Sequence, residues 1–185
     1  MKKILFTFIM LFSIIATSQS EKTYQLDTKK SKLKWTGYYQ FYFSEHTGTV
    51  NFTKGSLTTN FNKITGGSFE IDMKTITNEE HEKGIGPVAH LMDEDFFDVE
   101  KYPKATLEIT KVEYFESENK HKFYADLTLK EITKPIVFWG TADGNTRTLT
   151  TRFKLDRTDW GINYNNKIKN EAISNAMGFE TILYF

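Results

Sequence analysis

The chain has no cysteine. That excludes disulfide staples, thiolate metal ligands and a lipid-modified cysteine at a processed N-terminus. A charge of one sign is also missing, since Lys and Arg number 24 and Asp and Glu number 24. Without a basic excess there is no electrostatic footprint of a nucleic-acid binder. The four histidines, His46, His81, His90 and His121, stand apart. None forms the i, i+4 pair that a helical metal site uses, so no metal ion and no cofactor are expected. The chain has no Gly-x-Ser-x-Gly nucleophile turn, no phosphate-cradling glycine loop and no carboxylate dyad, so no catalytic residue is expected. No segment repeats at a fixed period.

Long apolar runs are confined to the beginning. Met1–Ser20 has a basic start (Lys2, Lys3), an apolar run from Ile4 to Ile15, and the small residues Ala16 and Ser18 before a cut site. This is the pattern of a secretory signal peptide. The run is shorter than the roughly 18–20 residues a spanning helix wants. Residues 21–185 are therefore expected to form one soluble domain outside the cytoplasm, periplasmic or secreted, with no stable membrane span once the leader is removed. The two leader lysines leave this remainder slightly acidic.

What the chain has in abundance is aromatic residues, 15% of the total, with 16 Phe and 9 Tyr. Aromatic and β-branched residues favour strands. Ile64–Thr75 shows the clearest alternation: Phe69, Ile71 and Met73 point one way, and Ser68, Glu70, Asp72 and Lys74 the other. A period of two with one apolar face marks a half-buried strand. Similar alternation runs through Ser31–Tyr39, His46–Thr53, Ser56–Phe61, Thr106–Phe115, Phe123–Lys130, Ile132–Ala142, Arg147–Leu155 and Met177–Phe185. Turns are expected at Lys54-Gly55, Asn62-Lys63, Glu116–Lys120 and Asp143-Gly144-Asn145, with a long polar loop over Asp156–Asn166. In Thr106–Phe115 the apolar face switches between Ile109 and Val112, which calls for a bulge near Lys111. Pro135 lies near a strand start, where a missing donor does least harm.

One stretch interrupts the strands. Asn78–Gly86 is a polar connection, and Pro87–Leu91 can be helical because Pro is tolerated in a first turn. His90–Thr106 then places Phe96 and Phe97 among Asp93, Glu94, Asp95, Asp98 and Glu100. It reads as one or two helical turns, with Asp93 as a side-chain cap and with Leu91, Phe96 and Phe97 turned inward. The acidic residues form a solvated cap, since they lack the spacing of a calcium loop. Pro103 forces Tyr102 into an extended conformation, so a strand follows at once. About eight to ten short strands with one helical excursion, at about 78–103, point to an all-β antiparallel sandwich or barrel. Closure would remove exposed edges.

Several pieces of the chain, in order, resemble the YceI-like family of exported bacterial proteins. They are Tyr24-Gln-Leu-Asp27, Trp35-Thr-Gly37, His46-Thr-Gly-Thr-Val50, Gly66-Gly-Ser-Phe-Glu-Ile-Asp-Met73, His90-Leu91 with Asp95-Phe-Phe-Asp98, Tyr102-Pro103, Leu127-Thr-Leu-Lys130 with Thr133-Lys-Pro135, and Asp156-Arg-Thr158 with Trp160-Gly-Ile162. The resemblance spans Tyr24 to Phe185. It implies an eight-stranded lipocalin-like antiparallel barrel around an apolar tunnel, and binding of a polyisoprenoid or related long lipid. Two places depart from the family pattern: Glu131 stands where glycine is usual, and Lys167–Asn175 lacks the usual Gly-Asp pair.

An eight-stranded barrel either fills itself with side chains or holds one slim ligand. A strand of about eight residues is roughly 26 Å long, enough to lay out a prenyl chain. Burying about 300 Å² of such a chain yields roughly 7 kcal/mol before ordering costs, so binding needs no catalytic group. Expected to line the tunnel are Trp35, Phe52, Leu57, Phe69, Ile71, Met73, Leu91, Phe96, Phe97, Leu107, Phe123, Leu127, Phe138, Phe153 and Phe179, with a packed core as the bland alternative. For a ligand headgroup the candidates are His46, at a strand start beside Gly48, and Arg157, which would pair a phosphate or carboxylate if it does not serve as the internal salt bridge of its loop. The expected function is non-enzymatic carriage or sequestration of a long lipid, as a monomer or homodimer. The alternatives are an enzyme acting on such a lipid, with His46 as its titrating group, and a packed barrel that binds a partner protein.

Overall fold

The computed structural model describes residues 21–41, 43–78, 86–163 and 173–185. The expected signal peptide over residues 1–20, His81 and the 164–172 stretch lie outside the described residues. Nine strands make up the sheet: β1 (Glu21–Gln25), β2 (Lys32–Tyr39), β3 (Glu45–Asn60), β4 (Lys63–Asp72), β5 (Lys104–Phe115), β6 (Lys120–Leu129), β7 (Ile132–Asp143), β8 (Thr148–Asp156) and β9 (Ile173–Tyr184). All pairings are antiparallel, in the order β1-β3-β2-β9-β8-β7-β6-β5-β4, and β3 also pairs with β4. That last pairing closes β2 to β9 into an eight-stranded barrel. β1 is the extra strand: it lies against Ser56–Asn60 of β3, beyond the point where β2 leaves β3 at Val50.

The alternation determines which side chains enter the barrel. Trp35 opposes Phe179, Thr151 opposes Thr181, Phe123 opposes Phe138 and Leu107 opposes Leu127. Outward positions carry Lys, Glu and Thr. The face switch in β5 is a bulge between Ile109 and Lys111, which returns Val112 and Tyr114 to the inner face opposite Phe123 and His121, with Tyr114 exposed at the mouth.

Lys54-Gly55 does not turn the chain. β3 is a single strand of 16 residues, and its register shifts between Phe52 and Lys54 as a β-bulge. The glycine serves packing: a Cβ at Gly55 would stand 2.6 Å from Phe69 Cδ1 and 3.0 Å from Leu26 Cδ2. The hairpin that follows turns at Phe61-Asn62, one residue earlier than expected, with φ of 48° and 62°. Lys130-Glu131 repeats this geometry at 48° and 61°. Two consecutive left-handed residues make the two-residue hairpin turn that matches strand twist, so Glu131 adopts the conformation in which the family usually has glycine.

The excursion contains α1 (Pro87–Met92), with Pro87 in its first turn. The backbone carbonyl of Asp93 accepts from the N–H groups of Phe96 at 3.1 Å and Asp98 at 2.8 Å, and this coils the segment after the helix. Phe96, Phe97 and Leu91 are buried beneath it. The expected polar loop after β8 begins as a buried 3₁₀ turn, Arg157–Trp160, whose Trp160 Nε1 donates to the Leu127 carbonyl at 3.1 Å. This turn lies where the barrel wall parts: β7 pairs with β6 from Ile132 to Gly140, but with β8 only from Gly140 to Asp143.

Two substitutions test this architecture. A Cβ at Gly48 would stand within 1.7 Å of the Thr77 carbonyl oxygen. Gly48→Ala is therefore expected to lower stability by about 1–3 kcal/mol in urea unfolding, whereas Gly144→Ala, with open space around it, should be neutral or slightly stabilising. On the outer wall, the Thr53 hydroxyl, at 2.8 Å, and then Lys104 and Lys54 hold the Glu70 carboxyl at about 2, below its ordinary 4.5. A depressed carboxylate stabilises the fold above the unfolded value, and the contribution is lost as pH falls through the folded one. The urea midpoint of the native protein should thus fall between pH 4.5 and 2 more steeply than that of Glu70→Gln.

Candidate functional site

The barrel has two dissimilar ends. At the end covered by the excursion, the last residues of β2, the first of β3, the 3₁₀ turn after β8 and the start of β9 surround a cavity of about 210 Å³. Its apolar wall is formed by Trp35, Pro87, Leu91, Phe96 and Met177, and Tyr39, His46, His90 and Arg157 supply polar groups. Trp35 is fixed by its Nε1, which donates to the Thr77 carbonyl at 3.0 Å. The Tyr39 hydroxyl and His46 Nε2 lie 2.7 Å apart, with the two rings edge to face.

Arg157 is 5% exposed. Its guanidinium donates to the carbonyl of Ile162, to that of Ser174 at 3.3 Å and to Asn175 Oδ1 at 3.4 Å, and it lies 5.6 Å from the centre of the Phe96 ring. Burial lowers its proton affinity, and the neighbouring Asp156 works in the opposite direction. Asp156 itself serves the loop: its Oδ1 accepts from the Thr158 hydroxyl at 2.6 Å and from the Thr158 N–H at 2.9 Å, and these bonds lower its pKa. Arg157 ties the 3₁₀ turn to the start of β9 through carbonyl and amide oxygens.

The opposite end is open and holds a larger cavity of about 820 Å³, reaching from the 61–62, 116–119 and 144–147 turns down to Leu57, Val112, His121 and Phe185. Between the two cavities runs a ladder of rings across β5 to β9. Tyr114 to His121, His121 to Phe123, Phe123 to Phe138, Phe138 to Phe153 and Phe153 to Phe179 are separated by 4.6, 5.9, 5.2, 4.9 and 5.7 Å between centres, none tilted by more than 31°.

Of the residues expected to line a tunnel, Trp35, Leu91 and Phe96 face the small cavity and Leu57 faces the large one. Phe52, Phe69, Ile71, Met73, Phe97, Phe123, Leu127 and Phe138 are buried in the core between them, with Leu107, Phe153 and Phe179 packed against it and half-buried. His46 and Arg157, distant in the chain, line the same small cavity. Tyr39, His90 and Met177 also line it without having been singled out. Met177 was legible as the residue opposite Gly37, had the strand register been known. His121 was passed over, although its alternation with Phe123 points it inward. Among the described residues no three His, Asp or Glu side chains gather as a metal site would require, and no helix is long and apolar enough to cross a membrane.

A closed barrel whose ends hold cavities of different polarity is a protein of the binding type. The comparisons agree with that class. The YceI-like domain profile matches residues 24–182, and the chain belongs to that family. BcnA of Burkholderia cenocepacia superposes with a TM-score of 0.71 at 16% identity, over 85% of this chain and 98% of that one. A Campylobacter jejuni YceI protein superposes with a TM-score of 0.54 at 20% identity, over 74% and 84%. At these identities the likeness shows the fold. No curated protein matches the sequence.

Removing the Arg157 guanidinium would take away the donor to the carbonyl of the buried Ile162. Arg157→Met is expected to lower stability by about 1–3 kcal/mol, read as the urea midpoint at neutral pH. Arg157→Lys should recover only part of this, because an ammonium cannot reproduce the planar fork.

Proposed function

We propose that the barrel binds a long apolar lipid of polyisoprenoid type without chemical change, and carries or sequesters it in the periplasm or outside the cell after its leader is removed. The apolar tail occupies the barrel interior, and the polar end lies at the small cavity beside His46 and Arg157. One observation supports this above the others: the small cavity brings the two headgroup candidates to a wall of Trp35, Leu91, Phe96 and Met177. A site that is mostly apolar with a few convergent polar groups is the usual form of a small-molecule site. Beyond it, Leu107, Phe153 and Phe179 face inward by strand register and are only half-buried.

An enzymatic reading needs a proton-transfer group aimed at bound substrate. His46 is instead engaged with Tyr39, and a hydrogen-bonded imidazole beside an apolar wall is sufficient for recognition. Mass spectrometry of organic extracts from the purified native protein should reveal a co-purifying long-chain isoprenoid. Gly37→Leu, which pushes a side chain into the small cavity where a Cβ meets only Trp35 at 3.7 Å, should lower lipid recovery at least fivefold while the protein stays folded. Extracts without any long apolar molecule, together with no uptake of added geranylgeraniol, would overturn the proposal. Turnover of that alcohol, abolished by His46→Ala with retention unchanged, would replace it with the enzymatic reading.

A further inference from the structure

We propose that the outer wall of β5, β6 and β7 beside the open mouth is a docking surface, and that it settles on the headgroup layer of an anionic phospholipid bilayer. Strand alternation turns Phe115, Lys122, Tyr124, Val137 and Trp139 outward, opposite in parity to the inward Phe123 and Phe138. Phe115 is 38% exposed, Trp139 41% and Val137 51%. The rings of Phe115 and Trp139 meet across β6, 5.0 Å apart between centres. Phe115 leads into the 116–119 turn at the mouth, and Trp139 precedes Gly140, the partner of His121. Tyr114 at the same rim is exposed as well, and so is Phe61, next to the rim residue Asn62. A contiguous apolar patch on an outer wall marks an interaction site.

The cations on the patch decide what it meets. Lys122 Nζ stands 5.2 Å from the centre of the Tyr124 ring and 5.9 Å from that of Trp139, and it has no carboxylate at ion-pair distance among the described residues. Glu113, the carboxylate inside the patch, is already matched: it pairs with Lys111 at 2.6 Å and accepts from the Tyr124 hydroxyl at 3.2 Å. An ammonium over a ring blocks that face to a sugar, which binds aromatic side chains by stacking on them. The core of a protein–protein contact is depleted of lysine, and a second copy would have to desolvate Lys122 with no carboxylate to meet it. A bilayer surface accommodates both features. Aromatic rings sit at headgroup level, and lysine stems lie along apolar surface while their ammonium groups reach lipid phosphates. The chain also enters the domain at this end, where Glu21 pairs with Asn60 beside Phe61. A leader held in a membrane would present the same end to it. The docking does not depend on what the barrel interior holds.

Flotation of the leader-free protein with large vesicles tests this. It should float with vesicles of phosphatidylethanolamine and phosphatidylglycerol, and much less with phosphatidylcholine alone. Trp35 and Trp160 are buried, so a blue shift of the tryptophan emission on adding the anionic vesicles reports Trp139. Phe115→Ser combined with Trp139→Ser should lower the bound fraction at least fivefold, and Lys122→Gln should weaken binding to anionic vesicles about fivefold. Phe43→Ser, at an exposed ring of the opposite end, should leave binding unaltered. So should Gly37→Leu, which separates this surface from the lipid reading of the interior. Should the double variant fail to fold, phospholipids brominated near the headgroup should quench the Trp139 emission of the native protein. No flotation with anionic vesicles, binding that survives the double variant, or a native dimer that the double variant disperses and that ignores vesicles would each overturn the assignment.

Discussion

The structure depends on one strand being paired along both edges. β3 hydrogen-bonds β4 over most of its length on one side, and β2 followed by β1 on the other. This pairing turns an open sheet into a barrel. It needs sixteen residues in one strand, and a strand of that length twists and bends too far to stay paired without relief. The bulge after Phe52 supplies the relief by inserting one residue, and Gly55 lets the bent strand approach Phe69 and Leu26. Closure removes the exposed edges that an open sheet of this size would present. It also forces the apolar faces of eight strands to converge on one axis, so the contents of the interior follow from the wall.

The wall was legible in the sequence where alternation was unbroken. β4, β6 and β9 declare their faces through Phe69 and Ile71, Phe123 and Leu127, and Leu183 with Phe179. The β5 bulge was legible too, because an extra residue inverts the parity and the inversion shows in the apolar positions. Lys54-Gly55 misled because a Lys-Gly pair between two alternating runs fits a turn as well as a bulge. Only the long-range pairing with β4 distinguishes them, and a local pattern does not contain it. The polar reading of Asp156–Asn166 failed for a similar reason. Arg157 and Trp160 are buried because of what packs over them, Phe96 and the Leu127 carbonyl, and neither is near in sequence.

The site was legible in part. His46 and Arg157 were chosen from local context, and the fold brings them to one cavity because the end of β8 and the start of β3 meet at the same rim. Tyr39 and His90 join them through geometry alone. His121 shows the opposite case, a residue whose inward direction could be read from the period of β6 but whose significance could not. An imidazole among phenylalanines is ordinary in a sequence.

The ring ladder decides how the two ends relate. Rings that interlock edge to face fill space in all directions, as Phe52 and Phe69 do at 60°. The rings from His121 to Phe179 instead lie within 29° of parallel from each to the next. Near-parallel rings make a wall with a smooth face, and at its centre that face is packed over, since Phe123 and Phe138 are buried. Phe153 and Phe179, at its far end, are half-buried. Its first ring, Tyr114, lies at the open mouth, and its last, Phe179, opposes Trp35 on the wall of the small cavity. One strip of rings therefore runs from the open mouth to the small cavity, and the two ends of the barrel differ in the groups that border them.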